Sequence, residues 1–283
     1  MTDEKKIMTR NGERKKPSAR RSSTRKKKRQ KDRRWLHILA AALIMPVMFF
    51  LAYHLVFKKN FMRFDVCEGE KAYLVCLPKG NFTFGIDISH HQGDIKWEKL
   101  KKEQQANAPL KFVYIKATEG RDHKDKRFDR NWREAKKHGF VRGAYHYFTT
   151  ASSGNAQANM FIKNVKLGKG DLPPMVDIEE SPKDKEAFIA ELKNFILRLE
   201  EHYGVKPIIY SYPKFHVKHL RDPFFRNYEF WVAHYYVDKP QTSRQWALWQ
   251  FTDKGIIPGI RQKVDINVLN GGEERLRELQ IKQ

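Results

Sequence analysis

The segment PMVDIE, residues 174–179, combines an apolar run with two acids that are two positions apart. The apolar residues predict a short buried strand, in which side chains at i and i+2 leave the same face, roughly 6.5–7 Å apart along the chain. We therefore expect Asp177 and Glu179 to share one cleft. Two close carboxylates raise the pKa of at least one of them, and apolar surroundings act in the same direction. The triplet alone is weak evidence, because D-x-E is also common on solvated surfaces.

Seven further β-rich segments accompany this one, with charged amphipathic stretches between them. They are FTFGIDI (82–88), KFVYIKA (111–117), VRGAYHYF (141–148), PIIYSY (207–212), EFWVAHY (229–235), ALWQFT (247–252) and VDINVL (264–269). Apolar residues recur at helical spacing over 183–203, and Gly204 should end that helix. Alternating strands and helices predict an α/β fold with a mainly parallel sheet. Eight strands favour a modified (β/α) TIM-like barrel with irregular or missing helices, and a doubly wound open sheet is the alternative.

Acidic residues cluster at the ends of a few predicted strands, which is where a parallel barrel places its active site. Asp87 ends the first strand, Asp177 and Glu179 end the fourth, and Asp265 lies in the last. The other strand ends carry polar or aromatic groups: Lys116 and Glu119, Tyr145 and His146, Tyr210, His234, Trp249 and Gln250. A carboxyl group that keeps its proton can protonate a glycosidic oxygen, so this set of acids points to glycoside hydrolysis.

Several motifs occur in an order that resembles one enzyme family. They are FGIDISHHQGDIKW (84–97), YIKATEG (114–120), GAYHYF (143–148), MVDIEE (175–180) and ALWQFTDKGIIPGIRQKVDINVL (247–269). Together they resemble the glycoside hydrolase family 25 lysozymes, the muramidases, over about residues 82–272. The resemblance implies a modified barrel with a long acidic groove. It also implies hydrolysis of the β-1,4 bond between N-acetylmuramic acid and N-acetylglucosamine in peptidoglycan.

The resemblance also assigns roles to single residues. Glu179 matches the general acid, Asp177 the second acid of the D-x-E triplet, and Asp87 and Asp265 two further acids that tune the Glu179 pKa or hold groove hydroxyls. The aromatic residues expected to bind substrate are Tyr145, Tyr147, Tyr210, Trp249, Trp231 and Tyr235. Two routes stay open: a retaining one, in which the substrate's own acetamido group attacks, and an inverting one, in which a carboxylate activates water.

The sequence contains neither a carboxylate–histidine spacing such as H-E-x-x-H nor a glycine-rich phosphate loop, and we expect no metal and no cofactor. The expected partner of residues 82–283 is the glycan strand of peptidoglycan. A basic exterior would favour encounter with the carboxylates of the cell wall. A non-catalytic module that binds peptidoglycan is the competing hypothesis.

The N-terminal region differs sharply in composition from the rest. Residues 1–34 hold 16 Lys/Arg and 4 Asp/Glu, and such a segment is expected to be a disordered tail. Residues 35–57 contain no Asp, Glu, Lys or Arg and are long enough to cross a ~30 Å hydrocarbon core. The basic flank predicts a cytoplasmic N-terminus and an exported C-terminal part, periplasmic or extracellular.

Two alternatives apply to this region. A cleaved signal peptide competes with an uncleaved anchor, but the anchor is favoured because no A-x-A-like site follows the apolar run. The basic tail could bind nucleic acid, yet its role as a topology signal suffices, and no nucleic-acid partner is expected. Residues 58–81 are expected to form a stalk or small hairpin, in which Cys67 and Cys76 could form a disulfide in an oxidising compartment.

Overall fold

The computed structural model describes residues 22–53 and 70–282 of the chain. The chain divides into two compact units, residues 1–66 and 67–283. In the first unit, helix α1 covers Ser22–Tyr53 and therefore begins inside the segment 1–34 for which we expected disorder. That expectation is wrong for residues 22–34: Lys and Arg have high helix propensity, so the basic run can continue the helix. Residues 1–21 lie outside the described residues.

The predicted membrane span, 35–57, lies mostly within α1, and its last residues, 54–57, are outside the described residues. Among residues 22–53 and 70–282, no helix combines the length and the apolar character that a bilayer crossing requires. A membrane span at 35–57 stays a prediction.

The second unit contains the β-strands and the remaining helices. The strands are β1 (Lys71–Ala72), β2 (Val75–Cys76), β3 (Phe82–Ile88), β4 (Leu110–Glu119), β5 (His123–Lys124), β6 (Val141–Tyr147), β7 (Met175–Asp177), β8 (Ile208–Ser211), β9 (Phe230–Ala233), β10 (Leu248–Gly255) and β11 (Val264–Asn270). The helices are α2 (Trp97–Leu100), α3 (Phe128–Lys137), α4 (Gly154–Asn164), α5 (Lys185–Tyr203), α6 (Pro213–His219) and α7 (Gly272–Leu279). Short 3₁₀ helices cover His90–Gln92, Lys101–Gln105 and Pro223–Asn227.

Eight strands close into a barrel in the order β3-β4-β6-β7-β8-β9-β10-β11, and β11 pairs back onto β3. All eight strands that the sequence predicts are present, and the closure rules out a doubly wound open sheet. Seven strands run parallel, whereas β11 is antiparallel to both of its neighbours. The segment 256–263 that joins β10 to β11 contains no helix, and a connection this short reverses the chain direction. A helix is also missing between β9 and β10, as the modified barrel predicted.

Alternation along β4 shows how the barrel is packed. Phe112 and Tyr114 lie in the barrel interior, whereas Val113 and Ile115 pack outward in the larger core beneath the helices. Gly143, on the neighbouring strand β6, leaves the space that the Tyr114 ring occupies, because a Cβ at this position would lie 2.3 Å from the ring. Aromatic rings therefore fill the barrel and form a floor beneath its C-terminal end.

Helix α5 confirms the helix predicted over 183–203. Asp184 caps its start by accepting a hydrogen bond from the Ala187 backbone N–H at 3.0 Å, and Gly204 ends it at φ 66° in the left-handed region. The apolar residues that define the pattern are all buried: Phe188, Leu192, Phe195, Ile196 and Leu199. This helix follows β7 directly, so its packing helps to hold the strand that carries Asp177.

The region 58–81 contains the hairpin β1–β2, whose turn residues Tyr73 and Leu74 adopt φ of 55° and 59°. Positive φ at both central residues is the geometry of a tight two-residue hairpin. Cys76, at the end of this hairpin, is disulfide-bonded. Its predicted partner, Cys67, lies outside the described residues, so the Cys67–Cys76 pairing stays a prediction.

Candidate active site

Four carboxyl groups meet at the C-terminal end of the barrel. Asp87 on β3 lies opposite Asp265 on β11 in the strand register. Asp177 ends β7, and Glu179 follows two residues later; both side chains are partly exposed. Electrostatic influence from Glu179, Asp87 and Asp265 reaches Asp177, which places all four acids in one site. The acids that the sequence singled out are therefore brought together.

Asp87 is the most constrained of these acids. Its Oδ1 accepts hydrogen bonds from Gln250 Nε2 at 2.8 Å and from Asn267 Nδ2 at 2.7 Å. Burial nevertheless raises the pKa of Asp87 to about 6. Burial, with the nearby Asp87 charge, raises the pKa of Asp265 to about 9, so Asp265 is protonated at neutral pH and hydrogen-bonds with Asp87.

Asp177 and Glu179 both ionise less readily than ordinary acids. Burial, then repulsion from Glu179 and Asp87, raises the pKa of Asp177 well above its ordinary value. Burial also raises the pKa of Glu179, although Tyr210 and Lys116 oppose this rise. Burial is thus the largest cause of the raised pKa in both residues. The spacing of the two acids in the sequence had pointed first to repulsion between the two carboxylates. Burial therefore favours the protonated form of both carboxyl groups.

The Oδ1 atom of Asp177 is buried and has no hydrogen-bond partner among the residues that the structure describes. A buried acceptor without a partner costs free energy, and a donor on a bound molecule would remove that cost. The partly exposed Glu179 next to it carries a second carboxyl group whose pKa burial raises. This pair can protonate one atom of a substrate and hold an N–H group beside it.

Lys116, which stands at the end of a predicted strand, is a site residue that was not among the predicted catalytic or substrate-binding residues. It lies on β4, its side chain is 12% exposed, and its Nζ donates to Glu119 Oε2 at 2.6 Å. The same ammonium sits 4.9 Å from the centre of the Tyr147 ring. Its positive charge lowers the pKa of both Asp177 and Glu179. Its place on the inward-facing series of β4 was the signal that could have identified it.

Gln250 and Asn267 were likewise not selected, and they link the aromatic residues to Asp87. Gln250 Oε1 accepts hydrogen bonds from the hydroxyls of Tyr210 and Tyr235, both at 2.6 Å, while its Nε2 donates to Asp87. Asn267 lies two residues after Asp265 and therefore on the same strand face. These amides hold the Asp87 carboxylate in one orientation.

The predicted substrate-binding aromatic residues divide into three groups. Tyr147 and Tyr235 are partly exposed at the mouth of the barrel, where a sugar ring could contact them. Tyr145 and Tyr210 are buried, 8% and 5% exposed, within the barrel interior below the mouth. Burial raises the phenol pKa of both, and the nearby Asp177 and Asp87 carboxylates add to this rise.

Two of the predicted aromatic residues are structural. Trp231 is completely buried in the barrel interior, where its Nε1 donates to Asn267 Oδ1 at 3.1 Å. Trp249 packs outward in the core beneath the helices, and its Nε1 donates to the His234 carbonyl at 2.8 Å. Neither indole ring has a face open to a sugar, so their assignment to substrate binding was wrong. The position of a residue at a strand end does not show whether its side chain points into the barrel or towards the helices.

His146 is also structural. It is buried on the outer side of β6, hydrogen-bonded to Thr118 Oγ1 at 2.7 Å and Gln157 Oε1 at 3.1 Å. Burial lowers its pKa to about 4, so it remains neutral. Within residues 22–53 and 70–282, no cluster of His, Cys, Asp and Glu is arranged to hold a metal ion.

A partly exposed acid with a raised pKa, beside a second carboxyl group at a barrel mouth, is the arrangement that glycoside hydrolases use. Comparison with known proteins agrees: residues 86–260 match the model of the family "Glycosyl hydrolases family 25", and the chain belongs to this family.

The chain is also similar to individual proteins. Lysozyme M1 of Streptomyces globisporus is 34% identical over 217 residues, which is 69% of this chain and 70% of that protein. The uncharacterized protein YegX of Escherichia coli O6:H1 is 36% identical over 221 residues, 77% of this chain and 81% of its own length. The crystal structure of a lysozyme from Streptomyces coelicolor has a TM-score of 0.64 at 32% identity, covering 71% of this chain and 97% of that one. The chain is therefore a glycoside hydrolase of the lysozyme, or muramidase, type.

Proposed function

We propose that this enzyme hydrolyses the β-1,4 bond between N-acetylmuramic acid and N-acetylglucosamine in peptidoglycan, with Glu179 as general acid and Asp177 assisting. The observation that carries the proposal is the pair itself. Asp177 and Glu179 share the barrel mouth, both are partly exposed, and burial raises the pKa of each. A raised pKa favours the protonated acid, which is the form that gives a proton to the leaving oxygen.

In the proposed reaction, Glu179 donates its proton to the glycosidic oxygen as the bond from that oxygen to the anomeric carbon breaks. The acetamido carbonyl oxygen of the same sugar attacks the anomeric carbon. Water then opens the resulting ring and gives a proton to the Glu179 carboxylate, which restores the acid. Asp177 Oδ1, which lacks a partner among the described residues, accepts the acetamido N–H and stabilises the developing positive charge. The inverting route, in which a carboxylate activates water, stays open. The anomeric configuration of the first product, read by NMR, separates the two: retention supports the acetamido route, and inversion contradicts it.

We also propose that the enzyme is a single-pass protein of the cytoplasmic membrane, with residues 35–57 as anchor and the barrel outside, where it remodels or lyses cell wall. Support comes from the uncharged composition of 35–57 and from the basic residues that precede it. The expected disulfide at Cys76 suits an oxidising exterior.

Glu179→Gln tests the catalytic assignment. Loss of the general acid should reduce the rate at which purified cell walls lose turbidity by roughly 10²-fold or more, because positioned acids contribute on the order of 10²–10⁴. Glu180→Gln is the matched control: this neighbour binds Thr150 through Oε1 at 2.6 Å and lies outside the group of four acids, so activity should persist.

Two outcomes would contradict the proposal. If the wild-type protein is as inert as Glu179→Gln while both bind cell walls, the chain is a peptidoglycan-binding module. Mass spectrometry of the digested wall decides the bond: muramic acid at the reducing end supports a muramidase, and glucosamine there points to a glucosaminidase.

A further inference from the structure

A cavity of about 780 Å³ lies at the end of the barrel opposite the acids. Its walls come from residues just before β7, β8, β9 and β10 and from the C-terminal segment 278–282. Because the catalytic acids follow the carboxyl ends of the strands, the barrel core separates this cavity from them. The cavity therefore belongs to a different site.

The charges that line the cavity are unbalanced. Four cationic side chains line it, and none makes an ion pair with a carboxylate of the described residues: Lys206, Arg226, Arg244 and Lys282. Arg275 binds both carboxylates in the lining, Glu229 and Glu278, the second at 2.9 Å, and Glu229 also acts electrostatically on Arg244. The remaining positive charge faces a space that an anion could enter.

Arg244 is the most firmly held of these cations. Its Nη2 donates to the Phe225 carbonyl at 2.7 Å and to the Tyr228 carbonyl, and its guanidinium lies 4.9 Å from the centre of the Phe230 ring. Burial lowers its pKa to about 10, so it is still cationic at neutral pH. Its Nη1 is buried and has no hydrogen-bond partner in the described part of the chain. A ligand oxygen would satisfy this donor.

Two more cations converge on the same turn, residues 225–228. Lys206 Nζ donates to the Asn227 carbonyl at 3.2 Å and lies 5.5 Å from the Tyr228 ring. Arg226 is exposed, lines the cavity, and makes no hydrogen bond or ion pair within residues 70–282. Three cations therefore surround one short turn, and Arg244 and Arg226 have N–H groups without a partner among the described residues. This arrangement suits a ligand that carries more than one negative charge.

We propose that this cavity binds a phosphate group. A phosphate accepts hydrogen bonds through several oxygens in different directions, which fits two guanidinium groups and an ammonium group better than the two coplanar oxygens of a carboxylate do. The proposal is independent of the muramidase assignment, since it involves none of the catalytic acids.

Calorimetric titration of the full-length protein with inorganic phosphate tests the site. Arg226→Gln should raise the Kd about tenfold, because it removes charged donors to the anion. Arg221→Gln is the matched control: it removes the same charge from an exposed arginine five residues earlier that does not line the cavity, so the Kd should not change. The basic residues in 1–34 are present in all three proteins, so any phosphate that they bind contributes equally to the three titrations. Cell-wall hydrolysis should be equal in all three, which separates this test from that of Glu179.

Two further probes identify what carries the phosphate. Binding of glycerol 3-phosphate that Arg226→Gln weakens supports a soluble or polymer-linked phosphate. Binding to phosphatidylglycerol vesicles that Arg226→Gln, but not Arg221→Gln, weakens supports a lipid headgroup. Equal affinity for acetate and phosphate overturns the proposal, and so does an equal Kd in Arg226→Gln and Arg221→Gln. Absence of saturable phosphate binding by the wild-type protein overturns it as well.

Discussion

At the scale of single residues, burial of the carboxyl groups sets their pKa values. Four carboxyl groups share the barrel mouth, and burial is the first cause of the raised pKa in every one of them. Lys116 opposes this rise for both Asp177 and Glu179 while it is itself bound to Glu119. The pH range of activity should therefore depend on a residue that need not touch the substrate.

Lys116→Met should shift the activity profile to higher pH. Without the ammonium, the pKa of Glu179 rises further, so the acid keeps its proton longer as pH increases. The alkaline limb of kcat/KM against pH, which reports the free enzyme, should move upward. Lys111→Met is the control on the same strand: Lys111 pairs with Glu273 at 3.0 Å, away from the acids, and its loss should leave the limb in place. An alkaline limb that stays fixed in Lys116→Met would refute this role.

Asp265→Asn should make the protein's stability less dependent on pH. The pKa of Asp265 is about 9 in the folded protein against an ordinary 3.8, so the folded state binds the extra proton between these values. Stability that this group provides is full below pH 3.8 and is lost as pH rises towards 9. Asparagine cannot ionise, and Tm should fall less over that window. Thermal unfolding at a series of pH values measures this dependence of Tm on pH, with the exposed Asp238→Asn as control. Parallel curves of Tm against pH for wild type and Asp265→Asn would contradict the raised pKa of Asp265.

At the scale of elements, β4 and β6 show that the barrel interior is built around rings. Tyr114 is completely buried, packs 4.9 Å from the Trp231 ring, and donates its hydroxyl proton to the Pro173 carbonyl at 3.1 Å. The ring cannot move without losing these contacts. Gly143, on the adjoining strand β6, has no side chain and so leaves the space that this ring occupies.

Gly143→Ala should destabilise the barrel. A Cβ would lie 2.3 Å from the Tyr114 ring, and relief of such a clash costs about 1–3 kcal/mol of the free energy of unfolding. Gly168→Ala is the control, because nothing lies within 4 Å of a Cβ there and its φ is not positive. Denaturant unfolding should show a lower midpoint for Gly143→Ala and little change for Gly168→Ala. Equal midpoints would mean that the interior can rearrange around the methyl group.

At the scale of the whole molecule, the N-terminal helix and the hydrolase are separate compact units. Residues 67–283 contain the closed barrel and every acid of the site. The unit should therefore fold and act without the preceding residues.

Removal of residues 1–66 should release an active, soluble enzyme. The fragment 67–283 should match the full chain in Tm and in digestion of solubilised wall glycan, since none of the site residues is lost. Full-length protein should sediment with membranes and the fragment should not, because 35–57 is the proposed anchor. Full-length protein in the soluble fraction with an intact N-terminus would refute the anchor. If N-terminal sequencing finds that residues 1–57 are missing, the segment is a cleaved signal peptide.

The eight strands and helix α5 could be predicted because their apolar periodicities are local properties of the chain. The acids could be predicted too, since Asp177 and Glu179 are spaced for one strand face and Asp87 and Asp265 stand at or near strand ends. The direction of β11 could not, because it depends on how the short segment 256–263 closes the barrel. Trp249 and Lys116 were misjudged for a related reason: register decides which side chains point inward.

The sequence by itself determined the fold class, the order of the strands along the chain, and the identity of the four acids. These follow from patterns between near neighbours in the chain. Only the tertiary structure decided that Lys116, Gln250 and Asn267 join the acids, that Trp231 and Trp249 do not bind substrate, and that a basic cavity lies at the opposite end. Desolvation and hydrogen bonding between residues far apart in sequence arise only when the barrel closes.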